Sequence, residues 1–173
     1  MVSAGNDALN LDRQGNLIVT PAESGNAIAI SSTAPLGWAY GATNYARPSS
    51  YSNYGNSLVW VSAPGGDFAY EGNENCTVAT PNLTLTRPCW VFDMVLSTIR
   101  GTTAAGAYSW TAGTSMSAPA ATAVAALIKQ KNPAATPAQL KTKLAQSATD
   151  EGKQGQDSFH GRGFVNALNA VTQ

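Results

Sequence analysis

The sequence predicts an α/β fold, a mainly parallel sheet with helices packed on it, from three observations. Short apolar runs bounded by turn-forming residues recur in the first half of the chain, as buried strands do. Residues 115–131 are apolar or small on almost every face until Lys129, Gln130 and Lys131, the pattern of a helix buried in the middle of a domain. Thr136-Pro137, a capping residue followed by proline at the first helical position, opens a second helix.

Taken in order, Val2-Ser3-Ala4-Gly5-Asn6 reads as the end of a buried parallel strand running into a loop, clipped against the usual length of about five or six residues. Ala27-Ile28-Ala29-Ile30 and Leu58-Val59-Trp60-Val61 read as the next strands, set off by Ser24-Gly25-Asn26, Tyr54-Gly55-Asn56 and Ala63-Pro64-Gly65-Gly66. Residues 35–53, rich in Tyr, Ser, Pro and Gly, read mostly as loop. Residues 95–99 and 108–110 form a pair of strand segments around a turn region at 101–106. In the first helix Pro119 removes the donor that the Ser115 carbonyl would use, so the first turn should be irregular, and Asn132-Pro133 ends the helix. Leu140 and Leu144 share one face of the second helix, and residues 161–171 give a Gly-rich turn and a short terminal helix.

Composition excludes several functions. Lys+Arg and Asp+Glu are both 10 in 173 residues and the charged fraction is 12%, without a basic run, so nucleic acid has nothing to hold. The longest apolar stretch, around residues 118–128, falls short of the roughly 20 residues that span a bilayer, so no membrane segment is expected. Low charge with many Ser, Thr, Asn and Gly residues suits a secreted protein. Cys76 and Cys89 enclose a polar, turn-rich loop and are expected to pair, which would stabilise the fold by roughly 3 kcal/mol in the chain-entropy model. Two thiols without further ligands make no metal site.

Chemistry concentrates in Gly113-Thr114-Ser115-Met116-Ser117-Ala118-Pro119, which runs into the small-residue helix. A serine at a helix N-terminus is commonly a cap, but there it also meets free backbone N–H groups and the positive end of the dipole, which favour developing negative charge. Asn6 in Ala4-Gly5-Asn6 is, on local sequence, a turn asparagine. Together the two segments resemble the nucleophile and oxyanion segments of the subtilisin-like serine proteases. Ser50-Tyr51-Ser52, Ala63-Pro64-Gly65 and Gly161-Arg162-Gly163-Phe164-Val165-Asn166 resemble that family's Ser-Phe-Ser, Ala-Pro-Gly and Gly-x-Gly-x-x-Asn segments, so the likeness extends over most of the chain.

The resemblance implies a subtilisin-like three-layer fold, of which residues 1–173 would be the C-terminal portion of one peptidase domain. It implies a serine endopeptidase with Ser115 as nucleophile. The Asn6 amide and the Ser115 N–H would be the oxyanion donors, and Ser3, Ala4 and Gly5 one wall of the pocket for the side chain before the scissile bond. A serine hydroxyl needs a base, and the family's Asp and His motifs would precede residue 1. The chain alone is therefore expected to be inactive or nearly so, and poorly stable or oligomeric. Its partners would be a peptide or protein substrate and the N-terminal half of the domain; a non-catalytic peptide- or partner-binding remnant is the alternative. No cofactor is expected in this segment, and structural calcium would belong to loops of the intact enzyme lying largely outside it. Residues 66–93, with both cysteines, read as an insertion, and Ala120 stands where many relatives carry histidine. His160, the one histidine, lies in a loop the family places away from the cleft and is expected to be structural or solvent-facing rather than the base. Asp7, Asp12, Asp67, Asp93, Asp150 and Asp157 fall outside any Asp-Thr-Gly or Asp-Ser-Gly motif, so none is a candidate for the orienting acid.

Overall fold

Three parallel strands, β1 (Val2–Ser3), β2 (Ala29–Thr33) and β3 (Val59–Pro64), lie side by side in that order. The computed structural model describes residues 1–101 and 107–172. The turn expected at 101–106 lies, from residue 102 on, outside the described residues.

β2 runs beyond the apolar run that marks it, because Ser31, Ser32 and Thr33 continue the strand and are all buried. Burying a hydroxyl costs free energy unless it is hydrogen-bonded, and distant loops provide the bonds for Ser31 and Ser32. Ser32 Oγ meets Ser49 Oγ at 2.9 Å and Tyr51 Oη at 2.8 Å, and the Ser31 hydroxyl donates to the Phe159 carbonyl.

The β2–β3 register contains an irregularity that sorts the core into two. Ala29 pairs with Val59 and Ile30 with Val61, which leaves Trp60 as an extra residue. Val59 and Val61, two apart and nominally on one face, therefore go to opposite faces. Val61 joins Ile30, Ala63, Val124, Ile128 and Leu144 in one apolar cluster. Val59 joins Ala4, Leu11, Ala22, Ala29 and Leu58 in the other.

Helix α1 (Thr114–Lys131) packs on the first face through Ala121, Val124 and Ile128. Its opening turn is tight: the Met116 N–H reaches the Gly113 carbonyl at 2.8 Å, three residues back, and Ser117 Oγ donates to the Thr114 carbonyl at 2.9 Å, while the helix runs on through Pro119. Helix α2 (Pro137–Ser147) begins with a capping box, the Gln139 N–H donating to Thr136 Oγ1 and the Thr136 N–H to Gln139 Oε1, and it inserts the fully buried Leu144 into the same core. Helix α3 (Ala167–Thr172) closes that layer with Ala170. The outer edge of β3 is covered by residues 161–165, through Arg162 N to Trp60 O, Ser62 N to Gly163 O and Val165 N to Ser62 O. Among the described residues no helix is long and apolar enough to cross a membrane.

The segment read as a polar, turn-rich insertion is ordered as a hairpin. Strands β4 (Asn75–Thr80) and β5 (Leu83–Pro88) pair antiparallel, and Cys76 is bonded to Cys89 at the hairpin's base. β-Branched Thr77, Val78, Thr80, Thr84 and Thr86 favour the extended chain, and Thr77 and Thr86 hydroxyls meet across the strands at 2.8 Å. A second antiparallel pair, β6 (Val95–Ile99) and β7 (Ala107–Thr111), leads directly into α1.

Asp12 clamps the start of the chain to the turn before β3. It accepts from Asn56 N at 2.7 Å, Asn56 Nδ2 at 3.1 Å, Ser57 N at 2.9 Å and Ser57 Oγ at 2.7 Å. Slight burial pushes its carboxyl up, but these donors outweigh it and lower the pKa from 3.8 to about 2. Because the folded-state value is depressed, the contribution to stability is complete above 3.8 and is lost as pH falls toward about 2. Asp12→Asn is therefore expected to lower the melting temperature near neutral pH and to shrink the additional loss on acidification, measured by circular-dichroism melts at about pH 6 and about pH 3.

Candidate active site

The carboxyl ends of parallel strands are where ligand sites gather in α/β folds, and here three segments converge at that edge. β1 leads into Ala4-Gly5-Asn6, β3 into Gly65-Gly66, and β7 into Ala112-Gly113 ahead of α1. The Gly113 N–H donates to the Gly65 carbonyl at 3.0 Å. Asn6 Oδ1 accepts from Thr114 N at 2.9 Å and from Thr114 Oγ1 at 2.8 Å, and Thr114 Oγ1 accepts in turn from Gly5 N at 3.2 Å. Residues more than a hundred positions apart are thus locked at the first turn of one helix.

This lock decides which end of the Asn6 amide is free to act. With the oxygen held by two Thr114 donors, the NH2 group is the end left to donate to a ligand. Thr114 is fully buried, whereas Asn6 and Ser115 are exposed. Ser115 is the second residue of α1, so its N–H belongs to the first turn and has no helical acceptor. A hydroxyl, a backbone N–H and an amide NH2 are gathered at a solvent-open helix N-terminus, an arrangement suited to attacking a carbonyl and receiving the resulting oxyanion.

Two supports come from the segment around Ser50-Tyr51-Ser52, which the sequence marks as family-like without assigning a role to either residue. Asn53 is fully buried and organises the whole 4–9 loop. Its Oδ1 accepts from Asp7 N at 2.9 Å and Leu9 N at 3.1 Å, its Nδ2 donates to Ala4 O at 3.1 Å, and its N–H donates to Gly5 O at 3.0 Å. Tyr51 stands behind the nucleophile turn, its Oη donating to the carbonyls of Gly66 at 2.6 Å and Gly65 at 3.1 Å. Burial pushes its phenol above the ordinary 10.0, so it remains a neutral donor. Both fall in or at the end of residues 35–53, which the sequence reads mostly as loop, so neither contact was expected.

Of the three pocket candidates, Ser3 and Gly5 are half-buried and Ala4 is fully buried. The Ala4 methyl packs in the second core and its carbonyl is taken by Asn53 Nδ2.

His160 is buried, and its Nδ1 lies 2.9 Å from Ser62 Oγ in β3 rather than at Ser115. Burial pushes its imidazole below 6.5, against the opposite pull of Asp157 and Glu151. A histidine kept neutral by folding binds fewer protons folded than unfolded, so its contribution is complete above 6.5 and is lost as pH falls below that value. The denaturant midpoint is expected to drop between about pH 7 and about pH 5, and to drop less in His160→Gln. The aspartates serve as loop fasteners. Asp67 pairs with Arg47 at 2.6 Å, and although burial pushes its carboxyl up, donors from Ser50, Arg47 and Phe68 hold it below 3.8. Asp93 accepts from Gly37 N and Trp38 N, and Asp157 from the N–H groups of Phe159 and His160.

Known proteins share this arrangement of elements. Serine protease AprX of Bacillus subtilis (strain 168) is 42% identical over 64 residues, 37% of this chain and 14% of AprX. The crystal structure of a lanthipeptide protease superposes with a TM-score of 0.70 at 29% identity, over 98% of this chain and 48% of that one. Fervidolysin from Fervidobacterium pennivorans, a keratinolytic enzyme related to subtilisin, superposes with a TM-score of 0.66 at 26% identity, over 99% of this chain and 22% of that one. The chain thus spans less than half the length of these relatives. The model of the subtilase family, Peptidase_S8, matches residues 1–163. A match over nearly the whole chain, on a fold shared with solved proteases of that group, establishes that this chain belongs to the subtilase family.

Proposed function

We propose that the chain carries the nucleophile and the oxyanion hole of a serine endopeptidase whose general base and orienting acid come from a segment outside these 173 residues. The observation that carries this reading is the Asn6 amide, fastened through its oxygen to Thr114 beside Ser115. Ser115 Oγ bonds to the scissile carbonyl carbon while the base takes its proton. The carbonyl oxygen becomes an oxyanion received by the Asn6 NH2 and the Ser115 N–H. As the tetrahedral species collapses, the C–N bond breaks and the proton passes to the leaving amine, giving an acyl-enzyme that water hydrolyses. Ser3 and Gly5 border the substrate residue before the scissile bond.

In this reading the base and the acid are a histidine and an aspartate carried by the other half of the peptidase domain, and the substrate is a peptide or protein. A disulfide between Cys76 and Cys89 favours an oxidising, extracellular setting. With His160 held on Ser62 and not at Ser115, the alternative to a base from elsewhere is a non-catalytic peptide- or partner-binding remnant. Cleavage of an internally quenched peptide by the chain co-refolded with an Asp- and His-bearing subtilase segment, and not by Ser115→Ala in the same mixture, is the expected result. No cleavage from a folded mixture would leave the remnant.

A further inference from the structure

Beside the nucleophile turn lies a cavity of about 400 Å³ that the oxyanion chemistry does not use. Its walls include Trp38, Val78, Leu83, Leu85, Phe92 and Trp110. The disulfide-tied β4–β5 hairpin supplies Val78, Leu83 and Leu85, so one wall is fixed covalently to the body of the fold. Asp93 also lines it, and its carboxylate accepts from the Gly37 and Trp38 N–H groups, so its oxygens already have partners within the fold. Thr33 also lines it, and its buried hydroxyl has no hydrogen-bond partner among the described residues. An orphan of this kind needs a partner, which a backbone or hydroxyl group of an occupant can provide.

The cavity adjoins the segments that carry the candidate active site. Gly66 lines it, and the carbonyl of the adjacent Gly65 holds the Gly113 N–H. Trp110 lines it from β7, whose chain runs on through Gly113 into Thr114 and Ser115. A polypeptide lying across Ser115 can therefore continue along this wall. Volume and lining fit one large apolar or aromatic side chain with room for its backbone.

We propose that this cavity is a second specificity pocket, taking a large apolar or aromatic side chain of the peptide substrate at a position other than the one preceding the scissile bond. The proposal rests on the endopeptidase reading for its ligand, and its test separates the two. Gly/Ser-rich peptides carrying a single p-benzoylphenylalanine are irradiated with the chain, and the crosslinks are mapped by mass spectrometry. Crosslinks are expected on the hairpin, Phe92 or Trp110, competed by a phenylalanine-bearing peptide and not by its aspartate counterpart. Leu83→Glu, at an exposed position 54% accessible, is expected to lower the crosslink yield about tenfold without disturbing the core. Trp38→Ala, at a position 37% accessible, provides an independent reduction. Crosslinks that fall elsewhere, or a yield indifferent to both variants, would overturn the pocket. Fluorophosphonate labelling of Ser115 in the mixture with the Asp- and His-bearing segment is scored in parallel. Labelling without cavity crosslinks removes the pocket alone, and cavity crosslinks without labelling remove the catalytic reading alone.

Discussion

Asn6→Asp is expected to leave the fold intact and to lower turnover of the assembled protease by roughly 10²–10³-fold, with KM little changed. That magnitude is the one known for removing an oxyanion donor from subtilisin, a member of the same family, and is carried over from it. The geometry explains why aspartate is the informative replacement. Asp keeps an oxygen where Thr114 N and Thr114 Oγ1 donate, so the lock between the 4–9 loop and α1 persists. What disappears is the NH2, and a negative charge takes its place where negative charge develops. Asn6→Ala would remove both functions at once and could not separate positioning from stabilisation. Comparable turnover in Asn6→Asp and the parent would mean that the amide does not face the reacting oxygen.

The largest stability effect is expected at Gly5. Its φ of +104° lies in the left-handed region, where a side chain is strained, and a Cβ there would collide with Asn53 Nδ2 and lie 3.2 Å from Asn53 Cγ. Asn53 cannot move away without releasing Ala4 O, Asp7 N and Leu9 N. Gly5→Ala therefore combines backbone strain of about 1–3 kcal/mol with broken buried hydrogen bonds worth about 1–3 kcal/mol. Gly25→Ala is the control, since Gly25 also has a positive φ, +78°, but nothing lies within 4 Å of its added Cβ. Unfolding free energies from urea titration should fall for both and by at least about 1 kcal/mol more for Gly5→Ala. Equal losses would mean that Asn53 is not the constraint on the loop.

The parts legible in the sequence are those that apolar pattern and capping chemistry announce. The small-residue stretch after Ser115 became α1, Thr136-Pro137 opened α2, and the apolar runs at 27–30 and 58–61 became β2 and β3. β2 exceeded its apolar run because the buried hydroxyls of Ser31 and Ser32 depend on partners in distant loops, which no local pattern reveals. Trp60 as a register irregularity is equally invisible, since it is defined by pairing with another strand. The β4–β5 hairpin was legible in principle, through alternating Thr, Val and Leu around Pro81-Asn82, but the polar composition weighed toward loop. In the site, Ser115 and Asn6 lie in recognisable segments and meet through Thr114. Asn53 and Tyr51 act only through three-dimensional contacts with backbone groups, so the residues that hold the site in place were the ones hidden.

The most direct measurement is labelling by a fluorophosphonate serine probe with peptide mapping, on the chain alone and mixed with a segment bearing the family's aspartate and histidine. The expected result is a label on Ser115 in the mixture, none on Ser115→Ala, and little on the chain alone. Rapid labelling of Ser115 in the chain alone would show a base among these residues, and a label on another serine, or none from a folded mixture, would contradict Ser115 as the nucleophile.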